Sequence, residues 1–136
     1  MKVQKAGCIL LNLETKKIGL IYREKQNDYS FPKGHLEKGE TLIECAIRET
    51  EEETKRKVKL YSEEVIAIDH YFDSMNDEVE MYYYIGIDDG ISDNDSTDTH
   101  DLIWVDYDEV LNTLTYDSLK KTWNIVKDTV FDIMNK

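Results

Sequence analysis

GHLEKGETLIECAIRETEEET, residues 34–54, is the stretch on which the reading of this chain turns. It carries no proline, and its second half is built from good helix formers. With residues 41–54 set on a helix of about 100° per residue, Ile43, Ala46, Ile47 and Thr50 form one stripe that faces a core. Glu49, Glu52 and Glu53, related by i, i+3 and i+4, form a second face beside it, while Glu44 and Glu51 point toward solvent. Stability alone does not favour this arrangement. Like charges four residues apart cost a few tenths of a kcal/mol per pair, and the C-terminal half of a helix prefers cations. Arg48, Lys55 and Arg56 offset part of that cost, through pairs such as Glu44–Arg48 and Arg48–Glu52. The acidic face reads either as a solvated surface or as a site for a hard divalent cation, because Mg²⁺ takes oxygen ligands and keeps several waters.

Outward from the helix, residues 3–12 and 17–23 read as a strand hairpin, and 24–40 as a polar loop containing Pro32, Gly34 and Gly39. Residues 58–72 hold one or two strands, and 79–87 (VEMYYYIGI) are β-branched and aromatic, a strand signal. Residues 88–101 form an acidic loop and 102–105 (LIWV) a short strand. Asp106 and Asp108 are placed to cap a short helix over 107–113. A last helix over 116–134 spaces Leu119, Trp123, Val126, Val130 and Ile133 on one face. Strands interleaved with a few helices give an α/β or α+β fold. With 136 residues and no low-complexity linker or repeat, a single domain over 1–136 is expected.

Twenty-nine acidic against 17 basic residues give a net charge of −12. That excludes a protein that coats nucleic acid, which needs a basic patch, and docking on anionic lipid. It would also repel a phosphate-bearing ligand unless divalent ions inverted the local field. No apolar run reaches the length of a membrane span, and the N-terminal apolar stretch, broken by Asn12 and Glu14, is too short for a signal peptide. Two cysteines, Cys8 and Cys45, do not make a disulfide framework and lack partners at metal-ligand spacing, so a reducing cytoplasm is the expected address. The 88–101 loop fails as a calcium loop: counted from Asp93, the required glycine and glutamate positions hold Asp98 and Trp104. It reads as a solvated loop or as one that closes over a site.

The spacing within 34–56 resembles the Nudix box, G-x5-E-x7-R-E-U-x-E-E-x-G-U, with U bulky and apolar. Gly34, Glu40, Arg48, Glu49, Glu52 and Glu53 all match, and six fixed positions rarely fall into register by chance. Three positions depart. Thr50 replaces an apolar residue, which would loosen packing, so Thr50→Leu is expected to stabilise. Lys55 replaces the last glycine and Arg56 the last apolar residue. Either Lys55 takes the left-handed conformation at a cost of roughly 1 kcal/mol, or the helix runs on and Val58 re-enters the core.

The resemblance implies a Nudix-type α/β/α sandwich with a mixed β-sheet, in the MutT-like hydrolase family. It implies metal-dependent hydrolysis of a pyrophosphate chain in a nucleoside diphosphate linked to another group, with Mg²⁺ or Mn²⁺ as cofactor. Carried over by position, Glu49, Glu52 and Glu53 would hold the metal, and Glu52, Glu53 or a loop residue would activate water. Arg48 would hold the carboxylates in place and Glu40 would be structural. Gly34 would allow a tight turn, with a carbonyl near Lys33 or Gly34 as a further ligand. A further acid often comes from the loop before the Trp-Val strand, where this chain offers Asp98, His100 and Asp101. The sequence FPKGHLEKGE resembles the diadenosine tetraphosphate hydrolase branch and its diphosphoinositol relatives. There Lys33 and His35 become phosphate contacts, and Tyr82 and Tyr84, on one strand face opposite Tyr83, become candidates to stack a base. Tyr29 and Tyr71 are lesser candidates. The alternatives are a MutT-like pyrophosphatase of oxidised nucleoside triphosphates, a Nudix-fold sensor that binds nucleotide without cleaving it, and an interaction domain with a solvated acidic helix. The expected partner is a small nucleotide or polyphosphate and no nucleic acid polymer, with the protein a monomer or homodimer.

Overall fold

The structure is a computed structural model, and residues 2–97 and 100–136 are described. Among them, eight strands form one mixed sheet with helices on both faces. β1 (Lys2–Asn12) is the long central strand, parallel to β7 (Glu78–Ile91) over ten residue pairs. On its other edge β1 changes partner. Lys5 to Gly7 pair with β4 (Lys33–His35), and Leu10 to Asn12 pair with β2 (Lys17–Arg23). Between those pairings, the Cys8 N–H leaves the ladder and donates to Thr50 Oγ1 at 3.1 Å. β2 continues to β3 (Asp28–Ser30) and also carries β8 (Asp101–Asp106). β7 splits in the same way, pairing with β6 (Ala67–Phe72) along its first half and β5 (Arg56–Leu60) along its second.

The period-2 alternation of the strands sorts their side chains into two cores. Cys8, Leu10 and Tyr84 face α1 (Leu42–Thr54), whereas Ile9, Leu11, Met81 and Tyr83 face α3 (Asp117–Met134). α3 buries Leu119, Trp123, Val126, Val130 and Ile133, the residues its periodicity singled out. No helix among the described residues is long and apolar enough to cross a membrane.

Several expectations are corrected. The 24–40 loop contains two short strands: β3 returns along β2 as a hairpin, and β4 pairs the β1 edge that β2 leaves. The 58–72 segment, expected to hold one or two strands, holds two, and only the start differs, at Arg56. β7 runs on to Ile91, so the start of the acidic loop is strand. Asp88 is absorbed there by Arg56, whose Nε and Nη2 donate to its carboxylate at 2.7 and 2.8 Å. Residues 107–113 are a 3₁₀ turn followed by α2 (Val110–Thr113), with no side-chain cap at Asp106, which instead pairs with Lys17. The buried stripe of α1 is Cys45, Ala46, Thr50 and Thr54, with Ile43 and Ile47 only half-buried.

Candidate active site

α1 begins with a full capping box: Thr41 Oγ1 accepts from the Glu44 N–H and the Glu44 carboxylate accepts from the Thr41 N–H. Glu44 is therefore occupied at the cap and does not pair with Arg48. Arg48 reaches the other way. Its Nε and Nη2 clamp the Glu40 carboxylate at 2.6 and 2.9 Å, and its Nη1 donates to Glu49 Oε1 at 2.7 Å and to Glu52 at 3.4 Å. Nη2 also donates to the His35 carbonyl at 3.1 Å. One planar cation thus ties Glu40, in the loop after β4, to Glu49 and Glu52 of α1. The guanidinium holds the Glu40 carboxyl far below its usual range, at about 2. Glu51 is not simply solvated: its Oε2 accepts from the Val58 N–H at 3.0 Å and steers the chain into β5.

α1 lies over β4 because β4 has no side chain at Gly34. A Cβ there would stand 1.0 Å from Glu49 Oε2, so the carboxylate occupies the space a side chain would take. This corrects the expectation of a tight turn, since Gly34 is ordinary strand. Its carbonyl accepts from the Cys45 thiol at 3.6 Å. Glu53 sits one turn further on, its Oε1 accepting the Lys33 N–H at 2.9 Å. Burial pushes the carboxyls of Glu49 and Glu53 upward, against the pull of Arg48 and Lys33 respectively.

Glu49 and Glu53 form one wall of a cleft of about 580 Å³. Lys33, Gly34 and His35 form its floor, Lys5 enters from β1, and the end of β2 with the turn after it contributes Tyr22 to Gln26. His100 and Asp101 also line it, with His100 Nε2 3.8 Å from Glu53 Oε2. In a chain of charge −12, Lys5, Arg23, Lys25 and Lys33 are gathered in this one depression. Burial lowers the ammonium pKa of both Lys5 and Lys33. Glu52 does not line this cleft; it lies on the adjacent helix face with Arg48 and Asn94.

The sequence missed Lys5, Tyr22 and Arg23. Arg23 is held by Asp28, directly opposite it in the β2–β3 pairing, with contacts from Nε at 2.8 Å and Nη2 at 2.5 Å. The available signal was an arginine and an aspartate flanking a polar turn between two short apolar runs. Tyr22 packs on Tyr29 with ring centroids 4.8 Å apart. Tyr82 and Tyr84 are not brought to the cleft. Even-numbered positions of β7 face α1, so Tyr84 is only 3% exposed and the half-buried Tyr82 donates to Glu80. Tyr71 packs on the opposite core. Asp98 lies outside the described residues.

The family model for the NUDIX domain matches residues 1–126. The chain belongs to the Nudix family. A NUDIX hydrolase from Nitrosomonas europaea superposes with a TM-score of 0.78 at 19% identity, covering 100% of this chain and 97% of that one. The Ap4A hydrolase of C. elegans gives 0.72 at 20% identity, covering 96% and 98%, and the MutT protein of Bacillus halodurans gives 0.67 at 20%, covering 98% and 83%. With the family comes the reaction class: this Nudix protein is a pyrophosphohydrolase, in a family that generally uses divalent metals.

The donor set fits such an ion. Glu49 and Glu53 are hard oxygen ligands whose charge is penalised by burial, and a cation reverses that penalty. The missing Gly34 side chain lets the Glu49 carboxylate lie against β4 at the wall of the cleft. Among the described residues, no three acidic, histidine or cysteine side chains are already gathered at ligand distance, with Arg48 set between Glu49 and Glu52.

Proposed function

We propose that this Nudix protein is a divalent-metal-dependent hydrolase of dinucleoside polyphosphates, cleaving diadenosine tetraphosphate to ATP and AMP. The observation that carries the reading is that Glu49 and Glu53 line one cleft together with Lys5, Arg23 and Lys33. A polyphosphate needs such a double arrangement: cations along its length, and a carboxylate pair at the phosphorus that reacts. The Pro32-Lys33-Gly34-His35 sequence supports the dinucleoside branch.

Mg²⁺ or Mn²⁺, held by Glu49 and Glu53 with Glu52 beside them, would neutralise phosphate charge and make water a better nucleophile. The chain's own groups do the rest. Lys33, Lys5 and Arg23 hold phosphate oxygens, with His35 at the edge of the same floor. Glu53, accepting the Lys33 N–H through Oε1, keeps Oε2 toward His100 and takes the proton of the attacking water. The water oxygen forms the new bond to phosphorus, the bridging P–O bond breaks, and its electron pair leaves with the departing phosphate. Tyr22, on the cleft wall, takes the base-stacking role in place of Tyr82 and Tyr84. The chain acts as one domain, as monomer or homodimer, and the free, buried Cys8 and Cys45 are consistent with a reducing cytoplasm.

The test is a panel of diadenosine tetraphosphate, nucleoside triphosphates with their oxidised forms, ADP-ribose and a diphosphoinositol phosphate, with and without Mg²⁺, products separated by chromatography. The expected result is ATP plus AMP from the dinucleotide, lost without metal and reduced about 100-fold or more in Glu53→Gln. A monophosphate plus pyrophosphate from one triphosphate would move the substrate to the MutT-like class. Binding without any metal-dependent product would replace the enzyme by a sensor.

A further inference from the structure

Lys55 stands where the Nudix box has its last glycine, and it takes the conformation for which glycine is suited, with φ 58° and ψ 28°. Its N–H closes the helix onto the Glu51 carbonyl at 3.0 Å. Its side chain does what no glycine can. The ammonium donates to the Asn94 carbonyl at 2.6 Å, to Asn94 Oδ1 at 3.1 Å and to the Ser96 carbonyl at 3.1 Å. All three acceptors belong to the segment between β7 and β8, which ends at His100.

That segment is fastened to the C-terminal end of α1 at further points. The Ser92 N–H donates to the Lys55 carbonyl at 2.9 Å, Asn94 Nδ2 to the Glu51 carbonyl at 3.0 Å, and the His100 N–H to the Glu53 carbonyl at 3.0 Å. The Glu53 carbonyl is one that a helix end leaves without an intrahelical donor, whereas the Glu51 carbonyl already accepts the Lys55 N–H and takes Asn94 as a second donor. No basic residue lies in the last turn of α1, so Lys55, one position beyond, is the cation nearest the negative end of the helix dipole. The turn that carries Glu52 and Glu53 and the segment that delivers His100 are therefore joined at one hub.

We infer that Lys55 is a positioning residue for hydrolysis: by holding Asn94 and Ser96 against the end of α1, it sets His100 opposite Glu53. The inference rests on the proposed role of Glu53 in hydrolysis and adds His100, with Nε2 3.8 Å from Glu53 Oε2, as a group at the same substrate. It assigns a purpose to a left-handed lysine that the family pattern treats as a mismatch.

The experiment uses the full chain in five forms: parent, Lys55→Gly, Lys55→Met, His100→Ala and Lys55→Gly/His100→Ala. Lys55→Gly keeps the backbone conformation and removes the ammonium; Lys55→Met keeps the side-chain length and removes the charge. Backbone amide exchange is read first and needs no substrate. Protection of the Ser92 and His100 amides is expected to fall by about tenfold or more in both single variants, with Cys45 inside α1 unchanged. Unchanged protection at His100 would overturn the proposal. Steady-state kinetics on the substrate found in the panel then tests the consequence. Lys55→Gly should lower kcat by about tenfold with KM altered less than twofold, and the same change in the His100→Ala background should have little further effect. Full additivity would show that Lys55 does not act through His100. If the parent turns over no substrate, the functional reading fails while the exchange result still decides whether Lys55 holds the segment.

Discussion

α3 inserts Leu119, Trp123, Val126, Val130 and Ile133 into one side of the sheet, whereas α1, thirteen residues long, buries only Cys45, Ala46, Thr50 and Thr54 on the other. α3 is held by packing. α1 is held by direction-dependent contacts: the capping box at its start, the Arg48 clamp on Glu40, the Thr50 hydroxyl on the Cys8 N–H and the donors at its C-terminal end. Apolar contact supplies more free energy but tolerates small displacements. Hydrogen bonds contribute less net stability and fix distance and angle. The helix that must present carboxylates to a cleft is the one fixed by geometry. The helix with no residue in the cleft supplies the bulk of the burial.

The sharpest way to break this contrast is to exchange the properties. Trp123→Ala empties the centre of the α3 interface, where the ring lies 5.3 Å from Tyr107. A loss of about 3–5 kcal/mol in unfolding free energy is expected, with kcat of the remaining folded fraction unchanged. Denaturant titration and active-fraction kinetics measure both. Glu53→Gln is the mirror case. Its loss is in turnover, and its melting temperature should equal or exceed that of the parent, because burial already disfavours the charged form of Glu53. A large drop in melting temperature would mean that Glu53 holds α1 in place as well.

Thr50 gives the next largest effect and corrects an expectation. The sequence pattern marks it as a polar residue in an apolar position. The structure shows it fully buried, with its hydroxyl serving the one N–H that β1 releases between β4 and β2. Thr50→Val keeps the shape and orphans that donor, so stability should fall by about 1–3 kcal/mol rather than rise. Thr50→Leu adds crowding to the same loss. A stabilised variant would show that the Cys8 N–H finds another acceptor.

How far the chain could be read in advance follows the same division. Features set by local pattern were legible: the alternation of Tyr82, Tyr83 and Tyr84 on β7, the buried stripe of α3, and the spacing of the glutamates and Arg48 on α1. Features set by distant pairing were not. β4 is three residues long and exists because β1 needs an edge partner. Gly34 is small for Glu49, fifteen positions away, and not for its own backbone. Tyr84 carries every local mark of a stacking residue, yet α1 covers it. Arg23 became visible only once the β2–β3 turn had folded over the cleft.

Asp28 offers the smallest and most selective test. Its side chain is fully buried, and Arg23 and Tyr116 both donate to it, with the Tyr116 hydroxyl at 2.6 Å. Those contacts, Arg23 first, hold its carboxyl below the usual carboxylate range. A depressed carboxylate contributes stability that is present above the unfolded value, about 3.9, and is lost as pH falls through the lower folded value. Tyr116→Phe removes one donor, so the folded value moves up toward the ordinary one. At neutral pH the variant should be about 1 kcal/mol less stable. The gap between variant and parent should close as pH falls below the usual carboxylate range, because protonation of Asp28 then costs the parent more than the variant. Because Tyr116 lies at the start of α3 and Arg23 lines the cleft, this contact joins the two halves of the comparison. A KM raised in Tyr116→Phe without a change in kcat would show that the packing helix also aims a cation at the substrate. An unaltered KM would confine Tyr116 to stability.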